Sequence, residues 1–402
     1  MALGPLVNDT LIKLIGIERI FDPHFRPAFD RVFRQPISDV TQALVRRLHP
    51  SGETQLCQEI EIPGEAKAAE DITAMMSRFT EQHYSGGRIA ERAGNTKTYG
   101  VVRAECEIFA DVPAAMKHGI FAEPRTCPAW IRFGGPGPLS PPDVEDSGIL
   151  SMSIKLMGVP GPKLIDDERF TQDFLTISSP TFTTPNVIEN VKLQKQIGAG
   201  TPIFYFLKPT DSHLLDLVMQ GIYARMNTSP LEVRYWSCVP YLCGEGQAMK
   251  YSVRPCSSHR TKVPWKVPTD WLRQSMVSGL ATSAVEFDLM LQLQTDPKRM
   301  PLENAGMEWP ESLSPFVPVA KIRVPAQVFT SPEQAKFARE LSYNPWHALP
   351  EHRPLGNQNR ARLLIYSTLS RLRQSMNREL HVEPDGSERF PGNQLPSLAS
   401  EA

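Results

Sequence analysis

The sequence predicts an α+β protein whose core is an antiparallel β-barrel with appended and inserted helices. The chain has 402 residues, enough for one large domain or two ordinary ones. Beyond residue 84, short segments alternate apolar and polar side chains, as half-buried strands do. Long excursions separate these segments, and the 37 prolines favour irregular connections over a helical bundle. Strands joined in this way fit an antiparallel barrel with inserted helices.

The first 84 residues are predicted to form helices joined by loops, with helices over 38–48 and 66–84. The apolar segment 11–20 is short and interrupted by charged residues. It predicts an amphipathic helix that either packs on the domain or touches a lipid surface. No stretch approaches the roughly 18 apolar residues of a membrane-spanning helix, so no membrane span is predicted.

The barrel strands are predicted from residue 100 onward, with helices between them. The predicted strands are 100–109, 129–133, 152–157, 250–254, 284–293 and 320–324, and the predicted helices are 211–226 and 268–278. Residues after Gly392 are polar, and we expect the end of the chain to be disordered.

Charge and cysteine content limit the compartment and the partners. The net charge is −1, so no basic face is implied, and neither nucleic acid nor an anionic membrane is an expected partner. The start of the chain lacks a basic segment followed by an apolar run, so no signal peptide is predicted. The cysteines show no CxxC pair or zinc-finger spacing, which is typical of free thiols in a reducing cytosol. They are Cys57, Cys106, Cys127, Cys238, Cys243 and Cys256. We therefore expect a cytoplasmic protein.

One helix face near the C-terminus carries the chemistry that the sequence shows best. Arg362, Tyr366 and Arg373 lie at i, i+4 and i+11, so they share one face of a helix. A free phenol has a pKa near 10, so holding a phenolate at pH 7 costs about 4 kcal/mol. A guanidinium one turn away lowers that cost, and a ferric ion lowers it further. A phenolate in this setting is an axial ligand of haem iron in some proteins.

The pattern Arg-x3-Tyr-x6-Arg and the segments before it resemble the proximal loop and helix of the catalase superfamily, especially its small catalase-related haem proteins. Those segments are Tyr343-Asn344-Pro345-Trp346 and Pro350-Glu351-His352-Arg353-Pro354-Leu355-Gly356. The resemblance covers roughly residues 85–380. It implies a catalase-like antiparallel β-barrel that binds haem b, with Tyr366 as the axial iron ligand and Arg362 as the stabiliser of its phenolate. His352 is expected to order the loop.

The resemblance also implies a division of the chain. An N-terminal helical segment would occupy residues 1–84, and the barrel with the distal haem pocket residues 85–340. The proximal loop and the haem-ligand helix would occupy residues 341–385, and a disordered tail residues 386–402. Superfamily members are often homo-oligomers, so a homo-oligomer is an expectation that comes from the resemblance alone.

Three arginines stand where superfamily members bind the haem propionates. Arg92 precedes the distal position, Arg132 lies in Trp130-Ile131-Arg132-Phe133, and Arg373 ends the helix pattern. Guanidinium groups pair well with carboxylates, so the resemblance implies that these three residues hold the propionates.

The distal side departs from the superfamily pattern. The distal histidine falls at Asn95, or at Thr96 if the register is shifted by one, and the distal asparagine falls at Ser178. Histidine moves protons well near neutral pH, whereas amides and hydroxyls only orient a bound oxygen. Rapid hydrogen peroxide dismutation is therefore not expected.

Three functional hypotheses follow from the contrast between the retained proximal residues and the altered distal residues. The first is a haem-dependent oxidoreductase or lyase that acts on an organic hydroperoxide, or that uses peroxide to oxidise an organic substrate. The second is a haem-binding protein without turnover, a sensor or a store. The third is a true catalase whose distal base comes from elsewhere, such as His83, although the spacing argues against it.

Overall fold

Nine strands of the described chain form one antiparallel sheet. The computed structural model describes residues 3–135, 137, 139–146 and 148–391. The strands are β1 (Thr98–Ile108), β2 (Arg125–Gly134), β3 (Ser151–Met157), β4 (Thr171–Ile177), β5 (Tyr235–Trp236), β6 (Tyr241–Leu242), β7 (Ala248–Pro255), β8 (Val285–Leu293) and β9 (Val317–Val324).

Eight of these strands close into a barrel. The sheet order is β5-β4-β3-β2-β1-β9-β8-β7-β6, and an additional pairing joins β5 to β7. The closing strand is only two residues long: Trp236 pairs with Ile177 on one side and with Ser252 on the other. The predicted antiparallel barrel is thus confirmed, and closure removes the exposed sheet edges that an open sheet would leave.

The barrel interior is filled by apolar side chains, as the alternation along the strands predicts. Its buried members include Ala104, Phe133, Ile154, Phe174, Tyr251, Phe287, Leu289 and Ile322. These side chains belong to one apolar cluster that fills the described barrel centre.

Nine α-helices surround the barrel in the described chain. They are α1 (Leu3–Phe29), α2 (Gln35–Leu48), α3 (Glu65–His83), α4 (Val187–Gly198), α5 (Ile203–Leu207), α6 (Leu214–Tyr223), α7 (Trp271–Thr282), α8 (Pro332–Glu340) and α9 (Asn357–Asn377). A π-helical turn at Asp30–Arg34 joins α1 to α2. No helix within the described ranges combines the length and apolarity needed to cross a membrane.

The predicted elements match the structure, but α4, α8 and most of α1 were not predicted. The helices predicted over 38–48 and 66–84 are α2 and α3, and the six predicted strands are β1, β2, β3, β7, β8 and β9. Strand β4 was read as part of a distal motif rather than as a strand. The two-residue strands β5 and β6 are too short for alternation to reveal.

The start of helix α9 is fixed by the residue before it, and its packing is fixed by its apolar face. Gly356 precedes it with a φ of 80°, and a Cβ atom there would lie 2.4 Å from the Leu302 carbonyl oxygen. Only glycine fits that backbone conformation and close approach. The apolar face of α9, with Ala361 and Ile365, packs against Ala69 and Ile72 of α3.

The chain end beyond residue 385 departs from the disordered tail expected there. Glu388 accepts a hydrogen bond of 2.9 Å from the indole of Trp130. The ring of Phe390 lies 5.9 Å from the Trp130 ring and 5.2 Å from that of Phe337. Residues 386–391 are therefore packed on the barrel, because Trp130 needs a partner for its N–H and a cover for its ring. The remainder of the expected tail, 392–402, lies outside the described residues.

Candidate functional site

Tyr366 and Arg362 lie together on α9, one helical turn apart. The Arg362 guanidinium carbon is 5.9 Å from the centre of the Tyr366 ring and 5.2 Å from that of Phe182. Asn359 orients the guanidinium by accepting a hydrogen bond of 3.1 Å. Burial acts to lower the pKa of Arg362, but the phenols of Tyr366 and Tyr241 raise it. A charged guanidinium is thus fixed where it would stabilise a phenolate at Tyr366.

The loop before α9 is bonded to successive turns of that helix. The indole of Trp346 donates to the Asn359 carbonyl at 2.9 Å, and the Asn344 amide donates to the Ser367 hydroxyl at 3.4 Å. The hydroxyls of Ser342 and Ser370 are also hydrogen-bonded to each other. These bonds fix the rotation of α9, so they fix where the Tyr366 side chain points.

His352 lies in the second segment of this loop. Its Nε2 accepts a hydrogen bond of 3.1 Å from the backbone N–H of Ile120, and its ring lies 5.2 Å from the Phe121 ring. Burial lowers its pKa to about 4. His352 is therefore a neutral residue that ties the loop to the barrel, as the sequence predicted.

Arg92, Arg132 and Arg373 form a cluster of guanidinium groups, called here the arginine cluster. Arg92 donates to the carbonyls of Ala338 at 2.8 Å and Leu341 at 2.7 Å. Arg373 donates to the same Leu341 carbonyl at 3.1 Å and to that of Arg339. Arg132 donates to the Asn95 carbonyl at 2.5 Å and to the Thr98 hydroxyl at 2.9 Å. All these acceptors are neutral, and no carboxylate of the described chain lies within salt-bridge distance of any of the three.

Burial and mutual repulsion make the arginine cluster electrostatically unfavourable without an anion. Burial lowers the pKa of Arg92. Burial and then the charge of Arg92 lower the pKa of Arg132 to about 9 and that of Arg373 to about 8. Arginine nonetheless keeps its proton in proteins. The cluster therefore concentrates buried positive charge, which a carboxylate ligand would neutralise.

Of the predicted distal residues, Asn95 and Thr96 contact this cluster, whereas Ser178 is bonded to Leu150. Thr96 and Ser178 use their hydroxyls for the backbone. Asn95 has a φ of 47°, in the left-handed region that asparagine tolerates, and its carbonyl binds Arg132. The buried Thr96 donates to the Arg92 carbonyl at 2.8 Å. Ser178 accepts a hydrogen bond of 2.8 Å from the N–H of Leu150. Within the described chain, no hydrogen bond joins Ser178 to Asn95 or Thr96.

The architecture is similar to that of two solved catalases. A bacterial catalase matches with a TM-score of 0.55 and 13% sequence identity, covering 88% of this chain and 71% of that one. A fungal catalase matches with a TM-score of 0.56 and 15% identity, covering 88% and 72% of the two chains. The chain has a catalase-like fold. No family model and no curated protein matches the sequence. At these identities the likeness establishes the fold alone, and the site residues remain predictions.

A cavity of about 410 Å³ opens beside the arginine cluster of this catalase-like fold. Arg92, Ala93 and Gly94 line one side, and Met76 and Phe79 of α3 line another. The C-terminal end of α4, at Gln194, Lys195, Ile197 and Gly198, completes it. Met76 and Ala93 also pack in the same apolar cluster as Tyr366. The cavity therefore reaches from the surface to residues that flank both Tyr366 and Arg92.

Sequence reasoning missed a buried ionic cluster under the loop before α9, made of Lys155, Glu168, Asp173 and His347. Lys155 bonds to Glu168 and to Asp173 at 2.8 Å, and Nδ1 of His347 lies 2.9 Å from the Asp173 carboxylate. Glu168, Asp173 and His347 have a metal-like arrangement, but the Lys155 ammonium group bonds to both carboxylates. Lys155 and Asp173 are directly opposite each other on β3 and β4, a cross-strand charge pair that only a correct β4 assignment would have revealed.

Proposed function

We propose that the chain binds haem b, with Tyr366 as the axial iron ligand and the arginine cluster on the propionates, and acts on an organic hydroperoxide. The alternative within the same class is oxidation of an organic substrate by peroxide. The observation that supports this proposal best is the arginine cluster. Arg132 and Arg373 are buried and Arg92 is half-buried, and no carboxylate of the described chain lies within salt-bridge distance of the three. An anion would neutralise them, and Arg373 shares a helix face with Tyr366.

The described residues fit a haem group in charge, spacing and polarity. Arg373 lies seven residues beyond Tyr366, which is about 10 Å along the helix axis. This separation suits a group with its metal at one place and its carboxylates at an edge. Tyr366 packs against an apolar cluster of α3 and α9 that includes Ile72, Ile365 and Leu369, so one side of the proposed site is apolar.

Bound haem iron would supply the redox chemistry that cleaves a peroxide O–O bond. The protein would supply three functions. Arg362 would hold the negative charge of the Tyr366 phenolate, and the arginine cluster would fix the propionates. The Asn95 amide would orient a peroxide oxygen by hydrogen bonding without removing its proton, whereas the buried Thr96 hydroxyl is engaged by the Arg92 carbonyl. A substrate whose cleavage does not depend on a protein base therefore suits this site.

Hydrogen peroxide dismutation is expected to be slow. A missing general acid–base residue typically lowers a rate by a factor of about 10² to 10⁴. Oxygen evolution from the haem-loaded protein at neutral pH measures this. Asn95→His is expected to raise the rate, because it would place an imidazole, which can transfer the proton, beside the arginine cluster. Thr96→His tests the alternative register. Rapid oxygen evolution by the unchanged protein would contradict the prediction, and no gain from either variant would show that the distal position is misassigned.

A screen of the haem-loaded protein against fatty-acid hydroperoxides and common peroxidase donors tests the proposed activity. We expect product above the level given by free haem, together with a shift of the Soret band when the substrate binds. A protein that binds haem but gives no product with any of them would be a haem-binding protein without turnover, and the enzymatic proposal would be abandoned.

Replacing Arg373 by glutamine is expected to weaken haem binding without destabilising the haem-free protein. Glutamine keeps a donor for the Leu341 carbonyl but removes one charge of the arginine cluster, so repulsion in the haem-free protein falls. A hydrogen bond to a charged group contributes about 1.5–3 kcal/mol, so haem affinity should fall roughly ten- to a hundredfold.

Haem titration and urea unfolding measure the two effects of Arg373→Gln. The control is Arg371→Gln, since Arg371 is exposed on the same helix. Unchanged affinity combined with lower stability of the haem-free protein would assign Arg373 a purely structural role.

A further inference from the structure

The N-terminal helices α1 and α2 have their apolar side chains on the outside. Leu14, Ile17 and Phe21 are 57%, 56% and 49% exposed. The same helix face continues along both helices at the spacing of an α-helical stripe. We call this face the apolar stripe; its exposed members also include Leu6, Phe25, Val32, Phe33, Val40 and Leu44.

The inner face of α1 is polar and is held to the protein by specific bonds. The Asp22 carboxylate accepts a hydrogen bond of 2.9 Å from the N–H of Met226, and the Arg19 guanidinium donates to the Asp146 carbonyl at 3.1 Å. Asn8 accepts from the N–H of Ile203 at 3.3 Å, and Asp30 pairs with Arg225. The orientation of α1 is therefore set by polar contacts, which leave the apolar stripe pointing away from the protein.

The residues from Leu6 to Phe33 extend over about 40 Å of helix. Monomeric proteins seldom expose a continuous apolar surface of this extent. An exposed apolar surface of this extent is typical of sites that bind a protein or a membrane.

A basic loop with an exposed tryptophan lies against the middle of the apolar stripe. Trp265 is 73% exposed, and its ring centre lies 6.4 Å from that of Phe21 and 5.1 Å from that of His24. Residues 257–268 include the exposed Arg260, Lys262 and Lys266 and contain no acidic residue. Tryptophan and phenylalanine beside lysine and arginine are typical of segments that bind at a lipid–water interface.

We propose that the apolar stripe and this basic loop dock the protein on a membrane surface that bears anionic headgroups. The α1 axis would lie in the plane of the membrane, with the phenylalanines inserted at the headgroup level and the loop lysines on the headgroups. A second copy of the chain fits less well. A two-fold interface centred on the stripe would bring two basic loops towards each other. This inference does not depend on the proposed catalytic function.

Sedimentation with lipid vesicles tests the proposal on the full chain. The vesicles contain phosphatidylcholine alone or phosphatidylcholine with phosphatidylserine. We expect the protein to sediment with the anionic vesicles and to be released by salt. The double variant Phe21→Asp, Phe25→Asp should bind at least about tenfold less. Lys262→Glu with Lys266→Glu should remove the preference for phosphatidylserine.

Leu380→Asp is the matched control, because Leu380 is 82% exposed and lies outside the stripe. It should bind vesicles like the wild type, and circular dichroism should be the same for all variants. Absence of vesicle binding by the wild type, or equal binding by the Phe21/Phe25 variant, would overturn the proposal. A dimer in light scattering that this variant dissociates, without vesicle binding, would assign the stripe to a second copy instead.

Discussion

Tyr366→Phe is expected to abolish the ferric–phenolate absorption spectrum of the haem-loaded protein. Phenylalanine keeps the ring that packs in the α3–α9 apolar cluster but lacks the phenol oxygen that would ligate iron. The fold should therefore persist while axial ligation is lost. The Soret and charge-transfer bands report this directly. An unchanged spectrum would show that another residue is the ligand.

Two further variants separate ligation from its electrostatic support. Tyr241→Phe is the matched control. The Tyr241 phenol also raises the pKa of Arg362, but it lies on β6 rather than on the ligand helix. It should leave the ligation spectrum intact. Arg362→Leu should retain bound haem but lose phenolate ligation at a higher pH than the wild type, since the nearby positive charge is gone. A pH titration of the spectrum that coincides with the wild type would exclude this role for Arg362.

Lys155→Met is expected to destabilise the protein by about 3–5 kcal/mol, because it removes the ammonium group that is bonded to two buried carboxylates. Glu168 and Asp173 both bond to the Lys155 ammonium group, and all three side chains are fully buried. Urea unfolding measures the loss. Adding Glu168→Gln should recover part of it, since that change removes one of the unpaired charges.

Lys163→Met is the control for Lys155→Met. The Lys163 ammonium group is buried without a hydrogen-bond partner in the described chain, and burial lowers its pKa to about 8. Its removal should cost little or even stabilise the protein. If the two lysine variants had equal effects, the ionic cluster would not be the cause of the Lys155 result.

The same ionic cluster should make stability depend on pH in both directions. Burial and Lys155 act to lower the pKa of His347, but Asp173 and Asp167 outweigh them and raise it from 6.5 to about 9. The His347 contribution is therefore complete below about pH 6.5 and is lost as the pH rises to about 9. Despite burial, Lys155 lowers the pKa of Glu168 below 4.5, so that contribution is lost at acid pH. His347→Gln should flatten the alkaline side of the stability profile and leave the acid side.

Much of the fold was predictable because most strands and helices carry their own periodicity. The long strands β1 and β8 alternate over enough residues to be recognised, and α2 and α3 have clear amphipathic spacing. The helix that carries the proximal candidate residues was predictable for the same reason. Arg362, Tyr366 and Arg373 lie on one helix, so their relative positions follow from the helix repeat alone.

Other features depend on contacts between residues far apart in the chain. Closure of the barrel by Trp236 requires partners at Ile177 and Ser252. The closing strand β5 has only two residues, so it shows no alternation in the sequence. Lys155 lies in the predicted strand 152–157, where the alternation pattern gives no sign of its partners. Only the fold brings Glu168, Asp173 and His347 close to it. Segment 11–20 was correctly expected to be an amphipathic helix. However, only the structure shows that its polar side faces the protein.

By itself, then, the sequence determined the barrel class and the helix with its Arg362–Tyr366–Arg373 face, and the resemblance implied propionate-binding roles for Arg92, Arg132 and Arg373. Tertiary structure alone decided that those arginines meet with no carboxylate of the described chain within salt-bridge distance, although Glu91 and Glu379 act on their charges from further away. It also decided that the ionic cluster lies against the loop before α9 and that α1 turns its apolar side outward. The reason is physical: periodicity encodes which face of one element is apolar, whereas charge pairing and burial depend on which elements meet.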